Sequence, residues 1–216
     1  MSDNVKVTWL GHSCFRLERD GWSAVIDPYA DGSVDGLDSV RERANAVYCS
    51  HEHRDHNARE NVELLGGLAP ADFSVTELSC PHDDEGGARR GPNTARIFTF
   101  GALRIAHMGD VGGMPGEAEL AALRGCDALL LPVGGYYTVD SGMAYEIVKA
   151  VKPRVIVPMH YRSAAPAFGF DVLSTVELFA AFFDPAEVIR PEMSSLELTA
   201  EGPRGLVILT PRLAGV

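Results

Sequence analysis

The sequence is short of basic residues. It has 19 Lys or Arg against 30 Asp or Glu in 216 residues, a formal net charge of −11. This balance argues against nucleic acid as the main partner, because phosphate backbones are held by Lys and Arg. A small anionic substrate stays open, since bound divalent cations reverse the local sign. No apolar run approaches the ~18–20 residues of a membrane span, so no membrane partner is expected. The first residues, Met1-Ser2-Asp3-Asn4, carry neither a basic nor an apolar leader, so a cytoplasmic location is expected. Four cysteines, Cys14, Cys49, Cys80 and Cys126, are scattered with no C-x-x-C pair. They read as buried, reduced thiols. A G-x-S-x-G elbow is missing, which removes the usual serine hydrolase. Glycines recur from Gly109 to Gly116, but no G-K-[ST] follows, which removes a nucleotide-binding P-loop.

What the sequence has is histidine in one place. Ser50-His51-Glu52-His53-Arg54-Asp55-His56-Asn57 holds three of the seven histidines and two carboxylates. In H-x-H-x-D-H, the i, i+2 spacing of His51 and His53 puts both imidazoles on one side of an extended segment. Asp55 and His56 follow where the chain turns and can face a second point. Imidazole nitrogen and carboxylate oxygen are the ligands of Zn²⁺ and similar divalent ions.

The rest of the chain reads as alternating strands and short helices over one domain, 1–216. Strands are expected over 5–10, 13–18, 23–26 and 46–49, with a hairpin turn at Asp20-Gly21. Asn57 with Glu60 reads as a capping box that opens a short helix ending at Gly66-Gly67. Strands follow at 73–78, 94–100 and 103–107, the last two a hairpin through Gly101-Ala102. A helix at 116–124 precedes a strand at 128–133. Asp140 caps a helix that runs through Val151 and stops at Pro153. A strand at 155–157, a helix near 171–183 and strands near 186–190, 194–199 and 205–210 complete the chain. A hairpin that ends in aspartate occurs twice, at Asp27 and at Asp110, which suggests two similar halves. His51, His82, Asp110 and His160 all sit just after strands, where a sheet scaffold usually builds its sites.

The series Ser50 to His56, then His82, then Gly109-Asp110, then Pro158-Met159-His160-Tyr161 resembles the metallo-β-lactamase superfamily. More narrowly it resembles the branch of ascorbate-6-phosphate lactonase-like proteins. Trp9-Leu10-Gly11-His12-Ser13, Ile26-Asp27-Pro28 and Leu131 to Gly135 with Tyr137 to Asp140 match that branch as well, so the likeness spans about residues 5–165. It implies an α/β fold, a four-layer αββα sandwich with a binuclear metal site at one edge. His51, His53 and His82 would hold one metal, Asp55, His56 and His160 the second, and Asp110 would bridge them. Asp55 and Asp110 would be the catalytic carboxylates. The metal would be zinc, about two per chain, with manganese or iron as the other candidates. A hydroxide between the metals would attack an ester, lactone or phosphoester in a small cytoplasmic metabolite.

Around that set, His12, Asp27 and Tyr137 are candidates for substrate contact or for orienting the ligands. His107 is divided between a structural bond and a site role. Arg89, Arg90 and Arg162 are candidates for holding an anionic group. Two other readings remain: a non-catalytic metal-binding module of the same fold, and an iron-bound redox enzyme on the same ligands. A homo-oligomer is compatible with all three.

Overall fold

Val5 and Val7 point inward and Lys6 outward, and this alternation opens β1 (Asn4–Gly11) of a computed structural model that describes residues 4–213. The expected domain, 1–216, includes residues 1–3 and 214–216, which lie outside the described residues. β2 (Cys14–Arg19) and β3 (Trp22–Ile26) continue as an antiparallel meander. Asp20 (φ 51°) and Gly21 (φ 80°) are both left-handed, as a two-residue hairpin turn requires. β4 (Glu42–Ala44) and β5 (Ala46–Tyr48) follow, and β5 lies parallel to β3 at the sheet edge.

The helix expected after Asn57 is not formed. Asn57 turns its amide back onto the Glu52 carbonyl and carboxylate, at 3.1 and 3.2 Å. Ala58 occupies the capping position with no side-chain acceptor, and a single 3-10 turn, Arg59–Asn61, is all that follows. The chain then enters β6 (Val62–Leu64), which pairs in parallel with β4. A ready strand partner outcompetes a local capping signal that no apolar helical stripe supports.

The second half repeats the plan. β7 (Phe73–Ser79), β8 (Thr94–Phe100) and β9 (Leu103–His107) form another antiparallel meander, turning at Gly101 as expected. α1 (Glu117–Leu123) leads to β10 (Ala128–Pro132), parallel to β9. α2 (Ser141–Val151) leads to β11 (Val155–Met159), parallel to β10. The Asp140 carboxylate caps α2 by accepting from Met143 N at 2.8 Å. α2 buries Ala144, Ile147, Val148 and Val151, an apolar stripe at helical spacing. In both halves, three antiparallel strands end in an aspartate and a parallel fourth strand follows a crossover.

β12 (Ser163–Ala164) and β13 (Ala167–Phe168) make a small hairpin. The helix expected over 171–183 shrinks to α3 (Val176–Ala180). Ser174 N donates to Gly134 O and Ser174 O accepts from Arg162 N, so the backbone before α3 is taken up in tertiary pairing. β14 (Val188–Ile189), β15 (Ser195–Thr199) and β16 (Gly205–Val207) return to the two sheets. The first sheet has the order β15-β1-β2-β3-β5 and the second β14-β16-β11-β10-β9-β8-β7.

The sheets face each other across one apolar core. Trp22 meets Phe73 at 4.5 Å between ring centroids, Tyr48 meets Phe98 at 5.2 Å and Phe15 meets the His107 ring at 5.8 Å. This is the α/β sandwich that the resemblance implies. Among the described residues no helix is long and apolar enough to cross a membrane.

The pairing directions place the chemistry. β1 and β3 run the same way because each is antiparallel to β2, and β5 is parallel to β3. By the same reasoning β7, β9, β10 and β11 share one direction. The residues leaving the carboxyl ends of these strands are His12, Asp27, Ser50-His51, His82, Asp110, Gly134 and His160. The strand order gathers them on one edge.

Candidate metal centre

The histidine cluster converges by turning, not by extension as its spacing suggests. Residues 50–56 bend tightly, and His56 N donates to His53 O at 2.9 Å. The turn brings His51 beside His56, with ring centroids 4.2 Å apart and the planes tilted by 42°, and sets His51 perpendicular to His53 at 4.7 Å. His82 arrives from the end of β7, 4.7 Å from His51 and 5.1 Å from His53. His51, His53 and His82 therefore form one group of convergent ligand atoms. Asp55, His56 and His160 form a second, which also includes His12.

Asp110 stands between the groups. Its Oδ2 lies 3.2 Å from His56 Nε2 and from His160 Nε2, 3.5 Å from His82 Nε2 and 3.9 Å from His51 Nε2. Yet His51 Nε2, His56 Nε2, His160 Nε2 and Asp110 Oδ1 are buried without a hydrogen-bond partner. Burying such groups unpaired is costly. Nitrogen and oxygen lone pairs that converge without donating to one another are the arrangement of groups that share a cation. The donor set, imidazole and carboxylate, fits zinc or a similar divalent ion.

The groups behind the ligands fix which nitrogen faces inward. Asp27 is fully buried and its Oδ2 accepts from His56 Nδ1 at 2.9 Å and from Ser50 Oγ at 2.6 Å. Ser50 N donates to the other oxygen, Oδ1, at 2.6 Å. Because the Ser50 hydroxyl donates to Asp27, it accepts from His51 Nδ1 at 2.9 Å. One carboxylate thus engages the Nδ1 of His56 directly and that of His51 through the Ser50 hydroxyl, and turns each Nε2 towards the centre. Asn93 does the same service for Asp110. Its Oδ1 accepts from Asp110 N at 2.9 Å, and its Nδ2 donates to Cys80 O and Met108 O. Gly109 (φ 54°) passes so close that a Cβ there would lie 2.2 Å from Asn93 Oδ1 and 2.5 Å from Ser50 Cβ. Ser50 and Asn93 were not singled out in the sequence, where nothing separates them from ordinary loop polar residues.

His12 stands beside the second group, among its convergent ligand atoms. A register shift in β1 between Trp9 and Gly11 re-aims the corner, and Trp9 Nε1 donates to His12 O at 2.9 Å. His12 Nε2 lies 3.2 Å from Asp55 Oδ2, and its ring is 4.1 Å from His160. His12, Asp27 and His160 all hold positive φ, at 51°, 48° and 52°. Non-glycine residues in this conformation concentrate where geometry is imposed by function. His107 resolves to a structural bond. Its Nε2 donates to Ser13 O at 2.9 Å and its Nδ1 accepts from Gly109 N at 3.1 Å, so both nitrogens are occupied.

Burial and neighbours set the charges. Burial, aided by His56, pulls His51 down to about 3, and burial with His160 nearby pulls His12 down to about 4 against the attraction of Asp55. Both imidazoles are neutral at pH 7 with lone pairs available. Burial opposes ionisation of Asp110, but His160 and His56 outweigh it and hold the carboxyl well below its ordinary range. The same holds for Asp55, where bonds to His12 and His56 prevail over burial. Burial opposes protonation of His56, but the surrounding Asp110, Asp27 and Asp55 raise it well above the usual value, so a cation taken up at His56 Nε2 would displace a proton from it.

The site opens into a cavity of about 510 Å³ lined by His53, Asp55, His82 and Asp110 on its floor and by Ser33, Arg54, Arg90, Tyr137 and Phe170 on its walls. Tyr137 lines the wall, with its ring 6.5 Å from His160 and 5.9 Å from Phe170. Of the three candidate arginines, only Arg90 reaches the cavity. Arg89 pairs with Glu85, and Arg162 donates to Leu173 O at 2.7 Å. Arg54 and Phe170 also line the cavity, and neither carries a local sequence signal that marks it: Arg54 sits among candidate metal ligands and Phe170 in an irregular loop.

Residues 6–160 match the β-lactamase superfamily domain. The chain belongs to the β-lactamase superfamily. Within that superfamily it is 30% identical over 187 residues to a UPF0173 protein of Pyrococcus furiosus, covering 76% of this chain and 86% of the relative. It is 28% identical over 198 residues to a UPF0173 metal-dependent hydrolase of Ignicoccus hospitalis, covering 75% and 84%. A crystal structure of a candidate Zn-dependent hydrolase of the metallo-β-lactamase superfamily from Thermotoga maritima superposes with a TM-score of 0.73. It is 27% identical and covers 95% of this chain and 98% of its own. The superfamily and the fold are therefore those the sequence resembles, and the chain is a metal-dependent hydrolase.

Proposed function

We propose that this β-lactamase superfamily member is a binuclear hydrolase that cleaves an ester, lactone or phosphoester bond in a small molecule. The observation that carries this is Asp110 Oδ2, within 3.2–3.9 Å of the Nε2 atoms of four histidines delivered by three separate segments. His51, His53 and His82 would hold one divalent ion and Asp55, His56 and His160 the other, with Asp110 reaching both. Zinc is the ion the donor set favours. When bound, such ions make a water nucleophilic near neutral pH and polarise the oxygen of the bond under attack.

The chain's own residues do the rest. Asp27 and Ser50 hold the tautomers of His51 and His56, and Asn93 fixes the backbone of Asp110. His12 bonds Asp55 and steadies it at the cavity floor. Tyr137 and Phe170 give the cavity an aromatic wall on which a substrate's apolar part can rest. Asp55, held ionised at the cavity floor by His12 and His56, would keep its negative charge there as a ligand throughout the reaction. Four free, buried cysteines suit a reducing compartment, which supports a cytoplasmic location.

The test is metal content by elemental analysis, followed by turnover of a generic lactone, a phosphodiester and a thioester with and without added metal. About two ions per chain and metal-dependent hydrolysis of at least one class are expected. Protein that binds metal but turns over no class would leave a non-catalytic metal-binding module. Protein that neither binds metal nor turns over after reconstitution would sink the reading entirely.

A further inference from the structure

In a chain with a net charge of −11, most arginines face a carboxylate. Arg16 lies 3.3 Å from Glu42, Arg96 2.8 Å from Glu77 and Arg154 3.0 Å from Asp127. Arg54 and Arg90 differ. Among the described residues neither makes an ion pair, and both line the cavity above the metal centre.

Arg90 is held there by design of its loop. The Asp83 carboxylate is buried and accepts from the backbone N–H of Glu85, Gly87, Arg89 and Arg90, at 2.8–2.9 Å. That fold of residues 83–91 carries the Arg90 side chain to the cavity wall. There its guanidinium lies over the Tyr137 ring, 5.6 Å from the centroid, and Nη1 donates to Tyr137 O at 3.4 Å. Stacking orients a guanidinium while leaving the fork of N–H donors at its edge unused. Arg54, in the turn between His53 and Asp55, lines the same cavity. Loose surface arginines gain nothing from lining a pocket; two unneutralised ones on one pocket lower the cost of bringing an anion into an acidic protein.

We propose that Arg90, with Arg54, grips an oxyanion on the substrate, a carboxylate or phosphate placed away from the scissile bond. The substrate class is then a small anionic ester or lactone whose apolar portion lies against Tyr137 and Phe170. Arg90 is a specificity residue: it binds the remote group and leaves the bond-breaking to the floor of the cavity. This rests on the hydrolase reading above, and the experiment separates the two.

Wild type, Arg90→Ala and the Arg54→Ala/Arg90→Ala double variant are brought to equal zinc content, checked by elemental analysis. Each is assayed on 4-nitrophenyl acetate, which is neutral, and on mono-4-nitrophenyl succinate, which carries a remote carboxylate and the same leaving group. Arg90→Ala should raise KM for the succinate ester by about tenfold or more, the effect of losing one charged hydrogen-bonding partner, with kcat little changed. The neutral ester should be affected by less than about twofold. Succinate and inorganic phosphate are also titrated calorimetrically into the same three proteins. Weaker binding in the variants by a similar factor supports the grip even if neither ester is turned over, and the tighter of the two ligands identifies carboxylate or phosphate. Equal affinity for both anions in all three proteins, or an unchanged ratio of succinate to acetate ester turnover, overturns it.

Discussion

Asp27 is the residue on which the centre most depends without touching its cavity. It orients His56 directly and His51 through the Ser50 hydroxyl. Asp27→Asn should weaken metal binding by about 10–100-fold, the usual cost of losing a group that orients a ligating histidine. Competition with a chromogenic chelator measures this, and unchanged affinity would contradict the tautomer assignment. Ser50→Ala should weaken binding less, since only His51 loses its partner. The candidate ligands were legible in the sequence because histidine and aspartate in H-x-H-x-D-H have few other uses. Asp27 was half legible, from its place at a strand end. Ser50 and Asn93 were not, because their roles lie in hydrogen bonds that reach across the fold, to Asp27 and to Asp110. For His107 position left a structural bond and a site role equally open, and its two occupied nitrogens decide for the bond.

At the scale of elements, strands delivered the site and loops shaped it. The meanders were legible from alternation and from turn residues such as Asp20-Gly21. α2 was legible because an apolar stripe and the Asp140 cap agree. Residues 57–66 show the limit of a local signal: Asn57 and Glu60 have the spacing of a cap, but β4 offers the backbone a better partner than a helix. The segment before α3 fails for the same reason, its backbone being bonded to Gly134 and Arg162. Gly109 ties elements to the site, since β9 can deliver Asp110 only by passing under Asn93 and Ser50. Gly109→Ala should destabilise the fold by more than about 2 kcal/mol, from the left-handed backbone and the displaced Asn93 together. The urea midpoint reads the first effect and metal content the second. A variant with wild-type stability and full metal content would show that the close approach is not as tight as described.

The whole molecule buries all four thiols. Burial is the main cause that pushes Cys49, Cys80 and Cys126 up to about 12 and Cys14 well above its ordinary value. A thiol whose folded pKa is raised adds stability below its unfolded value near 9 and loses it as pH rises towards the folded value. Stability should therefore fall between pH 9 and about 12, and Cys126→Ala should flatten that fall. Urea midpoints at a series of pH values test it; identical slopes for wild type and variant would count against it. Thiol titration at pH 8 should find almost no reactive cysteine in native protein and all four in denaturant. Rapid native labelling of several would mean the core opens more readily than its packing suggests.

The shared direction of β1, β3, β5, β7, β9, β10 and β11 divides the molecule into a working rim and an idle one. The hairpin turn at Asp20-Gly21 lies on the idle rim, at the amino end of β3. Nothing comes within 4 Å of a Cβ placed on Gly21. Foreign sequence grafted after Gly21 would lengthen a turn and leave every candidate metal ligand where it is. The enzyme can thus be tethered, tagged or fused there, and its chemistry would proceed on the far side undisturbed.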